Sequence, residues 1–526
     1  MSAHTAKPTR RGFLAGTAGV TAAAVLGMDP ALRSAAYASG SADANAYPFT
    51  LGVASGDPDA TSVVLWTRLT PDLLDPEGIR ASLVPVRWEV YADETGRRRV
   101  ASGIVAARSG DAHSVHVTVS RLAPGRDYWY RFFRGRHASP MGRTRTLPAP
   151  GRRVDRFAFA VASCQMYEHG HFTAYRHMAA EDLDLVLHLG DYIYEYGPNE
   201  YKVDSGNVRQ HNGPEITSLA DYRNRYALYH SDPDLQAAHA AFPFTVVGDD
   251  HEVDNNYAGA VAEDGQTREQ LLARRAAAYQ AFYEHMPVRR QVKPWGPDMW
   301  LYRRLEVGDL ASISMLDTRQ YRSDQACDDG SDDVPCGDWD DPSRTLLGER
   351  QERWLLDGLT RSRATWNILG QQVFFAERDY RVGEGKRLSM DGWDGYPAAR
   401  QRVLDTVSQR GVDNFVVLTG DVHRHYAANV KANFTDAAAP VIGSEIVCSS
   451  ITSGGDGNDI TQDALTAESP HVLYNRNRRG YVRCTLDRSS LRADFLTLPY
   501  VSRPGAPIAV DASFVTEAGR PGLHRA

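Results

Sequence analysis

The sequence predicts a small all-β sandwich followed by a larger α/β domain. Three observations carry that reading. Residues 39–150 hold short alternating runs set between turn signals, as in Val86-Arg87-Trp88-Glu89-Val90-Tyr91, the pattern of half-buried strands in a sandwich. From residue 156 onward, apolar strand-like runs alternate with amphipathic helical ones, the pattern of α/β proteins. The chain has 526 residues, 42% of them hydrophobic, which is length enough for two or more domains.

The N-terminus reads as an address rather than as structure. Thr9-Arg10-Arg11-Gly12-Phe13-Leu14 is a twin-arginine pattern, an Ala- and Gly-rich run covers 14–28, and Ala36-Tyr37-Ala38 has the small-x-small form of a cleavage site. Residues 1–38 are therefore expected to be a signal read by the twin-arginine export machinery, leaving a mature chain that is secreted, free or wall-associated. The run is too short and too weakly apolar to span a bilayer, which takes about 20 apolar residues. Net charge is −7, with an isoelectric point near 6.2. The basic footprint of a nucleic-acid binder is absent, so no such partner is expected, though local basic pockets for phosphate remain compatible.

Within 39–150, strand-like runs fall at 62–67, 86–91 and 114–119. A turn at Pro124-Gly125 leads into the aromatic strand Tyr128-Trp129-Tyr130. The Leu-Pro-Ala-Pro-Gly stretch at 147–151 reads as a linker. The α/β domain is placed at 151–503, with strands at 157–162, 185–189, 244–247, 313–316, 367–369 and 415–418. Its helices are expected at 175–181, 219–229, 268–285, 349–359 and 398–408. The Gly- and Pro-rich stretch 504–526 is expected to be a surface extension.

Five cysteines are present, and export makes disulfides permissible. Cys327 and Cys336 flank an acidic, Gly-containing loop that a disulfide would close. Cys448 and Cys484 lie in two later apolar segments and could pair across strands. Cys164 is left over.

Cys164 stands at the end of one of four segments that share a design, an apolar strand running straight into polar, metal-competent residues. They end in Ala162-Ser163-Cys164-Gln165, in Gly190-Asp191-Tyr192-Ile193-Tyr194, in Gly248-Asp249-Asp250-His251-Glu252 and in Thr419-Gly420-Asp421-Val422-His423. The carboxyl ends of strands are where α/β sheets bind ligands, and rigid strands can hold several such groups together. One Asp after a strand is an ordinary helix cap; four clusters of Asp, His, Tyr and Cys point to metal.

The motif order Gly-Asp, x-Asp-His-Glu, Gly-x-x-His resembles the calcineurin-like metallophosphoesterases. That superfamily opens with Asp-x-His, continues with Gly-Asp and Gly-Asn-His-Glu, and ends with Gly-His-x-His. Here Ser163-Cys164-Gln165 stands in the Asp-x-His place, Asp250 in the Asn place, and Asp421 in the place of the first His of the last motif. These departures match the PhoD-type alkaline phosphatases. So do Asp249-Asp250-His251-Glu252-Val253-Asp254-Asn255-Asn256, Leu316-Asp317-Thr318-Arg319-Gln320-Tyr321-Arg322 and Trp393-Asp394-Gly395-Tyr396-Pro397, and the resemblance covers essentially the whole mature chain.

The resemblance implies a four-layer αββα catalytic domain that hydrolyses phosphate esters. It also implies Fe3+ at a first site and Ca2+ at a second. The donors are consistent with that pairing. Cys164, Tyr194 and His423 offer thiolate, phenolate and imidazole, suited to a transition metal. Asp191, Asp250 and Asp421 offer hard oxygens suited to calcium or magnesium, with Asp191 placed to bridge. Two metals would clamp a phosphate and generate a hydroxide nucleophile. The choice of Tyr194 over Tyr192 or Tyr196 rests on the resemblance.

By the same matching, His251 would assist the leaving alkoxide; otherwise it is a core histidine bonded to Asp249 or Asp250. Asp249, Glu252 and Asn255 are expected to orient ligands, though one of them could bind calcium directly. Arg319 or Arg322 is placed to clamp the phosphate, or else to pair with Asp317. Arg223, Arg225, His169, His171 and His425 are expected at the surface or in loops. The family also includes phospholipase D-like phosphodiesterases, the second reading. A third is a secreted binding protein with a β-sandwich recognising cell-wall polymer, against which stands the metal-competent side chain at every matched position.

Overall fold

The apolar runs become the strands of two large sheets that pack face to face. In this computed structural model the described residues are 46–526 without 73–78, 205, 264 and 328. The expected signal, 1–38, lies outside the described residues.

The first sheet has ten strands. Its centre is parallel, in the order Arg156–Ala162, Leu185–His188, Pro243–Val246 and Ala54–Gly56. Antiparallel strands extend it on one side through Arg479–Asp487, Ser490–Leu498, Ala509–Glu517 and Arg520–Arg525. On the other side follow Val63–Arg68 and Ser114–Val119. The second sheet has seven strands, with Ala311–Met315, Trp366–Gly370, Phe415–Thr419 and Val441–Val447 parallel in its middle.

Period-two alternation divides each strand between two cores. Val416 and Leu418 join Phe157, Phe159, Leu185, Ile313 and Ile368 in the core between the sheets. Phe415 and Val417 point the other way, onto Leu355 and Leu359 of the helix Gly348–Arg361 and onto Val403, Leu404 and Val407 of Pro397–Gln409. Covered on both faces, such strands read as unbroken apolar runs. The helices Leu219–His230 and Arg268–His285 each start at a capping box, Ser218 with Asp221 and Thr267 with Gln270. Both helices start at the residues where the apolar pattern placed them, 219 and 268. The helix Pro233–Ala241 was missed, although Asp232 caps it and Pro233 opens it, a legible start signal.

Three expectations change. The stretch 504–526 is no surface extension: it supplies two strands, and Ala512, Phe514 and Leu523 enter the core. Its glycines and prolines lie between and within short strands, which hid the alternation. The N-terminal β segment is not self-contained either. Leu83–Tyr91, Arg99–Arg108, Asp127–Arg134, His137–Ala138 and Gly142–Arg145 form their own sheet, but Val63–Arg68 and Ser114–Val119 belong to the ten-stranded one. Both sheets share a core through Val63, Leu65, Val86, Val90 and Tyr130. Finally, Cys327–Cys336 is a disulfide, but Cys448 and Cys484 are separate buried thiols; the Cys448 Sγ–H donates to the Val161 carbonyl at 3.1 Å instead. Among the described residues no helix is long and apolar enough to cross a membrane.

Candidate metal centre

Three of the four polar clusters follow neighbouring parallel strands of the first sheet, and the fourth follows Phe415–Thr419 of the second. The turns are knit together by backbone bonds: Cys164 N–H donates to Gly190 O at 3.1 Å and Gln165 N–H to Asp191 O at 3.0 Å. Each turn is sharp. Cys164, Asp191, Asp421 and His423 have φ of 59, 55, 63 and 52°, a left-handed conformation that costs roughly 1–3 kcal/mol per non-glycine residue and collects at functional sites. Gly190, at φ 110°, touches the neighbouring turn so closely that a Cβ would lie 2.5 Å from that of Asp249.

This packing gathers every expected ligand. Cys164, Asp191 and His423 bring one donor atom each within 4.8 Å of one another. The Tyr194 hydroxyl joins them, donating to Asp191 Oδ2 at 2.8 Å and lying 3.1 Å from His423 Nε2. Tyr192 turns away, its hydroxyl 2.7 Å from His239 Nε2, so Tyr194 alone of those two reaches the cluster. Asp191 belongs also to a second group with Asp250 and His251, and Asp249, Asp250 and Asp421 form a third.

The chemistry of these groups calls for cations. Asp191 Oδ1, Asp249 Oδ2 and Asp250 Oδ1 are buried and accept no hydrogen bond, the last lying 3.5 Å from Arg319, a costly state for a buried carboxylate oxygen. Burial pushes Asp191, Asp249 and Asp421 well above the usual carboxylate range, with neighbouring carboxylates adding to the shift. Asp250 alone is lowered: burial opposes this, but Arg319 and His251 outweigh it. Burial, with the charge of Asp191, likewise raises the Cys164 thiol and the Tyr194 phenol. Cations bound among these donors would reverse the shifts. The donor set therefore fits a soft or ferric ion beside a hard one.

His251 sits 4.1 Å from the Tyr194 ring, centroid to centroid, with its Nδ1 2.8 Å from Glu195 Oε2. Burial would depress its pKa, but Glu195, Asp250 and Asp191 together hold it well above the ordinary value in the metal-free site. The partner expected for a core histidine, Asp249 or Asp250, is replaced by Glu195.

Arg319 is 1% exposed, and its fork is filled. Nε donates to Asp249 at 2.5 Å, NH1 and NH2 to Asp391 at 2.6 and 2.9 Å, and NH2 lies 3.5 and 3.7 Å from Asp250 and Asp421. The expected phosphate clamp is thus turned onto the carboxylates it positions, and Arg322 likewise holds Asp391 at 2.8 Å. From Arg319, Asp317 accepts the backbone N–H rather than the guanidinium, and its other donors are the Gln320 backbone and side-chain N–H groups. Glu252 is saturated by the N–H groups of Asp191, Tyr192 and Asp249 at 3.2, 2.5 and 2.6 Å. The Asn255 side-chain amide donates to Glu263, while Asp249 keeps a buried Oδ2 without a partner.

Three residues expected at the surface or in loops are buried: Arg225, whose guanidinium holds the Tyr194 and Tyr196 carbonyls, His169, and His425. Glu195, Asp391 and Ser453 were missed as contributors. Ser453, 2.7 Å from the Tyr194 oxygen, lies 289 residues beyond Cys164, whose carbonyl it also contacts, and no local signal links them. Glu195 directly follows Tyr194 and was within reach of motif reading. A cleft of about 560 Å3, lined by Asp391, Asp421 and His423, opens the centre to solvent.

A model of the PhoD-like phosphatase family matches residues 159–495, and one of the PhoD-like phosphatase N-terminal domain matches residues 34–148. Alkaline phosphatase D of Bacillus subtilis (strain 168) is 51% identical over 519 residues, covering 98% of this chain and 89% of that protein. The solved structure of PhoD is 53% identical and matches with a TM-score of 0.90, covering 91% of this chain and 92% of that one.

Proposed function

This chain belongs to the PhoD-like phosphatase family, and from that premise we propose how its site is loaded and used. It is a phosphoric-ester hydrolase of the alkaline phosphatase D type. The finer reading is Fe3+ held by Cys164, Tyr194, His423 and Asp191, with Ca2+ held by Asp191, Asp250 and Asp421 and with Asp249 adjacent. The observation that carries it is the junction of a thiol–phenol–imidazole set with a carboxylate set whose oxygens Asp191 Oδ1, Asp249 Oδ2 and Asp250 Oδ1 accept no hydrogen bond. Thiolate and phenolate together favour a ferric ion.

Bound there, such a pair would supply a nucleophile from water at neutral pH and neutralise charge on the phosphoryl oxygens. The protein's own part begins with His251. Glu195 holds its Nδ1 at 2.8 Å, and an Nε2–H would then donate to the departing alkoxide. Arg319 holds Asp249, Asp391 and the edge of Asp421 in register and acts as a positioning residue. Glu252 ties the Asp191 and Asp249 turns through three N–H bonds, which fixes the two ligand sets relative to each other.

The two facing sheets with helices outside them are read as the four-layer αββα sandwich. The twin-arginine pattern supports export of the mature chain, with a phosphate ester outside the cell as substrate. The same residues serve monoesters and diesters, so the phospholipase D-like reading differs from the alkaline phosphatase one only in preference. Metal analysis of the native protein, with rates on para-nitrophenyl phosphate and its bis-ester, tests all of this. Iron and calcium with ester hydrolysis are expected; a colourless, fully active zinc or magnesium protein would overturn the metal assignment. Metal binding without hydrolysis would favour the non-catalytic binding protein.

A further inference from the structure

We propose that one wall of the cleft, built on Arg378 and Arg424, is a subsite for a second anionic group carried by the alcohol part of the substrate. The proposal rests on the phosphoesterase reading of the cleft floor and adds a substrate class to it.

Both arginines line the same cleft as Asp421 and His423. Arg378 is caged by the rings of Phe374, Tyr380 and Tyr426, with its guanidinium carbon 4.6, 4.6 and 5.1 Å from their centroids. One NH2 donates to the Tyr380 hydroxyl, while Nε is buried and without a partner. Arg424 is steadied by Asn475 Oδ1, at 3.3 Å from Nε and 3.1 Å from NH2, and by the Ile460 carbonyl. Rings, a phenol, a carboxamide and a carbonyl are all neutral, so these contacts fix the two side chains without cancelling their charge.

The other basic groups at the cleft are paired with carboxylates or buried. Arg319 and Arg322 are taken up by Asp249 and Asp391, and Asp421 lies 3.7 Å from Arg319. Arg479 also lines the cleft, but its guanidinium is buried among Ser450, Ser453 and Asn477, which take its N–H groups. Asp329 is the remaining carboxylate on the lining. What is left over is a pair of preorganised guanidinium groups beside the reaction centre. The bonds above use Nε and Nη2 of Arg424 and Nη2 of Arg378, so each presents its Nη1 side, whose N–H groups match carboxylate or phosphate oxygens, and the rings and carboxamide have already restricted the rotamers that binding would otherwise have to freeze. The subsite therefore selects esters whose alcohol ends in a carboxylate or a further phosphate.

The test uses the metal-loaded enzyme and ω-carboxyalkyl phosphates of two to six carbons, each against its carboxamide. A parallel series of alkanediol bisphosphates is compared with the corresponding hydroxyalkyl phosphates. At the chain length that spans the gap, the charged ester should be preferred about tenfold in kcat/KM, mostly through KM. The two series distinguish carboxylate from phosphate as the better tail. The double variant R378Q/R424Q should lose the preference, and R424E should turn it toward ω-aminoalkyl phosphates, an inversion that misfolding cannot produce. Hydrolysis of every ester with no preference, or a preference that survives in the double variant, would overturn the subsite and leave the phosphoesterase reading standing. No hydrolysis of any ester would overturn both.

Discussion

Tyr194 has one oxygen and three neighbours for it: Asp191, His423 and Ser453, at 2.8, 3.1 and 2.7 Å. That crowding is what a coordinating phenolate needs, and it makes the side chain separable from its fold. Tyr194→Phe keeps the ring packed on His251 and removes only the donor atom. Its visible absorption band should bleach or shift and activity should fall at least 100-fold, while the unfolding temperature changes little, since one lost hydrogen bond costs about 1 kcal/mol. Spectra and calorimetry on the same sample check both. Glu195 acts on His251 rather than on substrate. Glu195→Gln keeps an acceptor for the imidazole and removes its charge, so kcat should drop roughly 10–100-fold with KM nearly constant; an equal rise in KM would mean that Glu195 shapes the substrate site instead.

The elements matter through the turns that end them. Parallel strands deliver Cys164, Asp191 and Asp250 side by side, and the left-handed residues after them bend the chain so that consecutive side chains face one pocket. Glycine is required where two turns meet. At Gly190 a methyl group meets Asp249 Cβ at 2.5 Å with φ at 110°, whereas at Gly420, where φ is unremarkable, it meets Ser163 Cβ at 2.9 Å. Gly190→Ala should therefore cost about 3 kcal/mol, from overpacking plus backbone strain, and lose metal. Gly420→Ala should be the milder of the two. Chemical denaturation and metal content of both variants measure the difference, and equal effects would contradict the conformational argument.

For the whole molecule the carboxylates decide how stability depends on pH. Folded pKa values raised by burial at Asp191, Asp249 and Asp421 mean that the metal-free native state binds more protons than the unfolded one. Their favourable contribution is complete below the ordinary carboxylate value of about 4 and is lost as pH rises through the folded values. Asp250 works in the opposite sense, leaving three groups against one. Protein stripped with EGTA should lose activity, recover it with calcium, and fall further below the loaded form in unfolding temperature as pH increases; a gap independent of pH would refute the linkage. Deleting 504–526 removes Phe514 and Leu523 from the core and bares the edge of Ser490–Leu498, so soluble yield should collapse. Replacing Arg10 and Arg11 by lysine should hold the precursor inside the cell, as fractionation would show.

Sequence alone determined the strands that carry the site, the residues that end them, and the family whose motif order they follow. Apolar runs and polar strand ends are local properties, and Cys164, Asp191, Tyr194, Asp250, His251, Asp421 and His423 are each set by their own stretch of chain. Tertiary structure decided everything that depends on what comes from far away. It filled the Arg319 fork with Asp249 and Asp391, which no spacing within the Asp317–Arg322 motif foretells. It moved Val63–Arg68 into the catalytic sheet and drew 504–526 in beside it, because a strand's partners are chosen by the edge it can cover rather than by its own pattern. It also left Arg378 and Arg424 with neutral neighbours, since whether a charge is neutralised depends on what packs around it.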